Sequence, residues 1–184
     1  MNRIQFERLE LRLNLTSFVN IEVNAGGVSA FGADTADFNS DGQIDFLVSD
    51  FDSGFGIYPG NELGSVAGTI SVGDSLFANG IFADLNGDSL SDILSWDFEG
   101  LRWFENTNGE YGESKSITDD PIVNSISSDI DADGDIDVIA SVGPVGQLAV
   151  FLNDGKEFIP AGQDFAGIQQ VGAMSVTDMT GDGL

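Results

Sequence analysis

Nine-residue segments rich in short carboxylates recur along this chain, and their spacing suits chelation of a hard cation. The first runs Asp37-Phe-Asn-Ser-Asp-Gly-Gln-Ile-Asp45. Asp37, Asn39 and Asp41 occupy alternate positions, so a curled loop can point their side-chain oxygens inward. Gly42 follows, where a sharp turn favours a residue free to take positive φ. Gln43 offers its backbone carbonyl, and Asp45 closes the shell as the next element starts. This is an all-oxygen donor set of roughly five or six atoms, the preference of a hard cation. Calcium tolerates an irregular shell, whereas magnesium demands a near-ideal octahedron and keeps its waters.

Three further segments align with the first. They are Asp84-Leu-Asn-Gly-Asp-Ser-Leu-Ser-Asp92, Asp129-Ile-Asp-Ala-Asp-Gly-Asp-Ile-Asp137 and Asp178-Met-Thr-Gly-Asp-Gly-Leu184, where the sequence stops. Their first aspartates are 47, 45 and 49 residues apart. Four copies at nearly constant spacing mark a repeated structural unit. Asp and Asn also stabilise solvated turns without any ion. The third segment argues against that reading for itself, because it packs five Asp into nine residues and unbalanced carboxylates that close repel. An EF-hand begins in the same way but needs a bidentate Glu at position twelve and flanking helices. Position twelve here is Val48, Ser95 or Ala140, and the closing acid stands at position nine.

Composition narrows the chemistry. The chain has 31 acidic and six basic residues, a formal net charge of −25, and 22 of the acids are Asp. A surface of that sign excludes nucleic acid as a natural partner and disfavours anionic membranes. No Cys and no His are present, so thiolate chemistry and the commonest general base are absent. No run of about 18 apolar residues suggests a membrane-spanning helix. Hydrophobic residues make up 41% of the 184, enough to build a core.

The elements that must position these loops are strands. Each loop is followed by a short apolar run: Phe46–Val48, Ile93–Leu94 and Val138–Ala140. About ten residues later come Gly56–Tyr58, Leu101–Phe104 and Leu148–Leu152, each meeting a turn signal at Pro59–Asn61, Asn106–Gly109 or Asn153–Gly155. A further strand-like segment, such as Gly80–Ala83, leads into the next loop. No segment sustains a helical period. The expectation is an all-β fold with four short antiparallel strands per repeat, the size of one β-propeller blade.

The pattern D-x-[DN]-x-D-G-x-x-D followed by apolar residues resembles the FG-GAP/VCBS repeats of integrin-α-like, calcium-binding β-propellers, over roughly residues 30 to 184. The resemblance implies four-stranded blades with a calcium loop joining the first two strands of each. It also implies exported or cell-surface proteins, often adhesive or appended to enzymes. Carried over by position, the implied ligands are Asp37, Asn39, Asp41, Gln43 and Asp45, then Asp84, Asn86, Asp88, Leu90 and Asp92, then Asp129, Asp131, Asp133, Asp135 and Asp137. The fourth-named residue of each set acts through its backbone carbonyl. The second loop departs from the pattern with Ser89 at the usual Gly position, although Gly87 eases its turn. The fourth keeps Asp178, Thr180 and Asp182 but has no closing acid.

Residues 1–16 form a separate N-terminal segment. Within it Phe6-Glu-Arg-Leu-Glu-Leu-Arg-Leu13 is similar to the F-E-x-L-E-x-R box of some exported bacterial proteins, and also reads as an ordinary amphipathic strand or helix. Residues 17–184 are the repeats, about three and a half to four blades, expected to be a fragment of a larger propeller. The functional expectation is a calcium-stabilised, extracellular or cell-surface scaffold that binds protein or glycan, without catalysis. The alternative is part of a secreted polysaccharide-active enzyme. Trp96, Trp103, Tyr58 and Tyr111 suit either a core or a sugar-stacking platform, with the core favoured for aromatics at strand positions. An open sheet edge at the C-terminus is expected to invite self-association.

Overall fold

The computed structural model describes residues 30–50, 54–61, 70–72, 78–161 and 173–177. They form an all-β fold of three four-stranded antiparallel sheets, with no helix among the described residues. Sheet I comprises β1 (Ala30–Ala36), β2 (Asp45–Asp50), β3 (Gly54–Tyr58) and β4 (Ile70–Val72). Sheet II comprises β5 (Asn79–Ala83), β6 (Asp92–Asp97), β7 (Gly100–Phe104) and β8 (Lys115–Thr118). Sheet III comprises β9 (Ile122–Ser128), β10 (Asp137–Val142), β11 (Gln147–Asn153) and β12 (Phe158–Pro160). Within each sheet every strand pairs with its neighbour in sequence, a simple meander. The fourth acidic segment, with Asp178, Thr180 and Asp182, and the N-terminal box lie outside the described residues.

The apolar runs become strands because they fill the interfaces between sheets, and the run of sheet II fills two at once. In β6, Ile93 joins a cluster with Phe38, Leu47, Phe55, Ile57, Val72 and Ala78 between sheets I and II. Its neighbour Leu94 points to the other face and joins Trp96, Leu101, Ile122, Val138 and Phe151 between sheets II and III. Residues 92 to 96 are all buried, as expected for a strand covered on both faces. Period-two alternation is therefore hidden in β6, and a continuous apolar run replaces it.

The three described acidic segments sit at one defined place, the connection from first to second strand. The closing aspartate is the first residue of the second strand, paired with the residue just ahead of the loop: Ala36 with Asp45, Ala83 with Asp92, and Ser128 with Asp137. Each loop is thus pinned at both ends by a ladder pair.

Candidate metal centre

The three described loops share one hydrogen-bond scheme. The first aspartate curls the chain over itself: Asp37 accepts the amides of Asp41 at 3.0 Å and Gly42 at 2.9 Å. Asp84 accepts those of Gly87, Asp88 and Ser89 at 2.8, 3.1 and 2.8 Å. Asp129 accepts that of Gly134 at 3.1 Å. The third position accepts from the fifth, as Asn39 from Asp41, Asn86 from Asp88 and Asp131 from Asp133. The fifth accepts from the seventh, as Asp41 from Gln43, Asp88 from Leu90 and Asp133 from Asp135. These Asx-turns stack alternate side chains along one concave path.

Backbone dihedrals follow the same plan. Positions four and six of every loop take positive φ: Ser40 at 57° and Gly42 at 81°, Gly87 at 74° and Ser89 at 69°, Ala132 at 60° and Gly134 at 101°. In the second loop glycine and serine have exchanged places, so Ser89 adopts the left-handed conformation itself. That conformation costs an L-residue about 1–2 kcal/mol.

The closing aspartates are wholly buried. Each carboxylate is gripped from two sides by backbone amides. Asp45 accepts from Phe38 at 3.0 Å and Gly60 at 2.7 Å. Asp92 accepts from Leu85 at 3.0 Å and Asn106 at 2.7 Å. Asp137 accepts from Ile130 and Asn153, both at 2.8 Å. The closing acid therefore ties its loop to the end of the third strand, a structural duty beyond that of a ligand. Burial nevertheless pushes the Asp45 and Asp92 carboxyls up, with the other loop carboxylates adding, and Asp92 reaches about 6. A cation beside them would offset that cost.

In the third loop Asp129, Asp131 and Asp137 bring carboxylate oxygens within 4.8 Å of one another, a grouping that could hold a metal ion. Desolvation and the neighbouring Asp133 hold the Asp131 carboxyl above its ordinary range. Among the described residues no other group of three acids converges this closely. The first and second loops each carry Asn at position three, so their third carboxylate is replaced by a neutral oxygen. Asp135 lies with its carboxylate beside Gly155, leaving its backbone carbonyl as the donor considered for the loop.

Two residues that bind the sheets together were read in the sequence only as turn signals. Asn106 is 1% exposed. Its Nδ2 donates to the Ser91 carbonyl at 3.0 Å and, across the junction, to the Phe38 carbonyl at 2.7 Å. Asn153 repeats this with Ile136 at 3.1 Å and Leu85 at 2.8 Å. Each asparagine thus holds the acidic loop of the preceding sheet. The signal was present: the two asparagines are 47 residues apart, as are the residues they reach, Phe38 and Leu85. In sheet I the corresponding amide belongs to Gly60, where a side chain would run into the Ile44 carbonyl.

Of the aromatics, Trp96 and Tyr58 are buried. Tyr111 stacks on Phe38 at 6.1 Å and donates its hydroxyl to the Ser91 carbonyl at 2.8 Å. Burial, helped by Asp92 and Asp45, keeps that hydroxyl protonated well above its usual range. Trp103 carries the Lys115 ammonium 4.1 Å from its ring centroid. None of the four forms an open stacking platform with another.

No family model and no curated protein matches this sequence. Among solved structures, the fold is similar to that of a lectin from Agrocybe aegerita, reported for specific recognition of non-reducing terminal N-acetylglucosamine. The TM-score is 0.52 at 20% identity, covering 71% of this chain and 36% of the lectin chain. This chain spans about a third of that lectin, and the likeness is one of fold.

Proposed function

We propose that this chain is a run of β-propeller blades, stabilised by calcium in its acidic loops, that serves as a binding scaffold outside the cell. The observation that carries the metal reading is the convergence of Asp129, Asp131 and Asp137 within 4.8 Å, in a loop whose geometry recurs in both preceding sheets. An all-oxygen, multiply charged set of irregular shape favours calcium over magnesium and over transition metals. Three successive meanders, each packed on the next, support the blade reading. The similarity in fold to a lectin supports a glycan as partner. Extracellular calcium modules work near 10⁻⁴ to 10⁻³ M, roughly the level available outside cells, which supports an extracellular or cell-surface setting.

Thermal unfolding in chelator and in millimolar calcium tests this. A ligand bound only by the native state adds RT ln(1 + [L]/Kd), about 2.7 kcal/mol per site at 100 Kd. Calcium should raise the melting temperature by many degrees, and magnesium at equal concentration by much less. Identical melting in chelator and in calcium would end the proposal.

A further inference from the structure

Cations are scarce in this chain, and the described residues include three: Arg102, Lys115 and Lys156. Arg102 pairs with Asp119 at 3.4 Å and Lys115 with Glu105 at 2.7 Å. Lys156 makes no ion pair at contact distance among the described residues, although backbone amides and the charge of Lys156 lower the nearby Asp154 carboxyl. Lys115 belongs to β8 of sheet II, and Lys156 to the turn between β11 and β12 of sheet III. Both nevertheless line one cavity of about 130 Å³ at the junction of those sheets, together with Asn86, Trp103, Glu105 and Phe158.

The cavity is partly preorganised. Lys115 is held between the Trp103 ring, 4.1 Å away, and Glu105 Oε2. The other Glu105 oxygen accepts from Asn86 Nδ2 at 3.4 Å, and the same amide donates to Asp88 at 3.1 Å. Asn86 therefore belongs both to this cavity and to the second acidic loop.

We propose that this cavity binds the oxyanion of an acidic sugar, a carboxylate or sulfate carried on a single pyranose-sized ring, and that it does so more tightly when calcium is bound. A lysine ammonium is a compact point charge suited to an oxyanion. Trp103 and Phe158 offer apolar wall for the C–H face of a ring, and Asn86, whose Nδ2 hydrogens go to Asp88 and Glu105, keeps a lone pair on Oδ1 to accept from a hydroxyl. The small volume fits one sugar-sized end of a larger glycan. The calcium dependence rests on the metal reading above. Without the ion, Asp84, Asp88 and Asp92 repel an incoming anion; with it, two of those three charges are offset, and Asn86 links the two sites.

The chain's two tryptophans make the test direct. Indole N–H resonances of the ¹⁵N-labelled protein are followed while glucuronate, glucose 6-sulfate, glucose and inorganic sulfate are added, in millimolar calcium and in chelator. Trp103 reports the cavity; Trp96, 6% exposed, reports the fold. Glucuronate and glucose 6-sulfate should move the Trp103 signal and leave Trp96 in place, and glucose should move neither. Lys156→Ala and chelator should each weaken binding by about tenfold, within the usual range of coupling between sites. The proposal is overturned by silence of Trp103 toward both acids in calcium, by an equal response to glucose, or by unchanged affinity in Lys156→Ala. Inorganic sulfate binding as tightly as glucose 6-sulfate would show that no sugar is read and overturn that part. Equal binding with and without calcium overturns the coupling, and the melting curves then show separately whether the metal reading has failed.

Discussion

Replacing Asn153 with alanine should loosen the joint between sheets II and III more than any surface change. The side chain is 5% exposed and makes three hydrogen bonds: to the Leu85 carbonyl at 2.8 Å, to the Ile136 carbonyl at 3.1 Å, and from the Gly155 amide at 3.1 Å. A net value of about 1 kcal/mol per bond gives about 3 kcal/mol, and leaving a buried group unsatisfied adds to that. In a chain of this size each kcal/mol moves the melting point by about 2–4 °C, so the expected drop is about 6–12 °C. Asn106→Ala removes the equivalent bonds between sheets I and II and should cost a similar amount. Thr107→Ala, an exposed change in the same turn as Asn106, should stay within about 0.5 kcal/mol. Urea and thermal unfolding, both in excess calcium, measure the difference. If Asn153→Ala loses less than about 1 kcal/mol, or no more than Thr107→Ala, the asparagines are not what joins the sheets.

Calcium-dependent stabilisation should fall further in Asp131→Ala than in Asn39→Ala, because the third loop relies on a carboxylate where the first uses a neutral amide; calorimetric titration of both variants decides. Ser89→Gly should stabilise the protein by up to about 1 kcal/mol, since glycine relieves the left-handed strain but adds unfolded-state entropy; a loss of stability would contradict the strain. The Asp92 carboxyl is raised to about 6 from 3.8, so the folded chain binds its proton more tightly than the unfolded one does. That contribution is full below about pH 4 and is lost as pH rises through 6. The shift corresponds to at most about 3 kcal/mol. Chelated protein should therefore melt higher at pH 5 than at pH 7, and Asp92→Asn should reduce that gap; an unchanged gap in the variant would remove Asp92 as its source.

Much of the architecture was legible because each repeat writes its strands and loops in separate alphabets. Phe46–Val48, Ile93–Leu94 and Val138–Ala140 all fall within second strands, and each of the three described acidic segments falls on the turn before one. Less legible was how deeply the closing aspartates are buried. A carboxylate at a strand start reads as a ligand or a surface group, and only packing shows that Asp45, Asp92 and Asp137 are enclosed and held by amides far along the chain. The junction asparagines were illegible for a related reason. Asn106 and Asn153 carry ordinary turn sequence, and the carbonyls they reach lie 68 residues earlier, beyond any local pattern. The cavity at Lys115 and Lys156 likewise depends on two sheets meeting.

The asparagine contact also bears on how such a molecule can grow. Sheets I and II each carry a socket, the carbonyl just inside the acidic loop, and sheets II and III each carry a plug, an asparagine at the end of the third strand or just past it, 47 residues apart. Because the plug of one unit enters the socket of the unit before it, a tandem copy arrives with a working joint already in its own sequence. Lengthening by duplication then needs no new contact to evolve at the seam. Divergence is confined instead to residues the joint does not use, such as those lining the cavity between sheets II and III. A molecule joined this way can change its number of units without changing the joint between them.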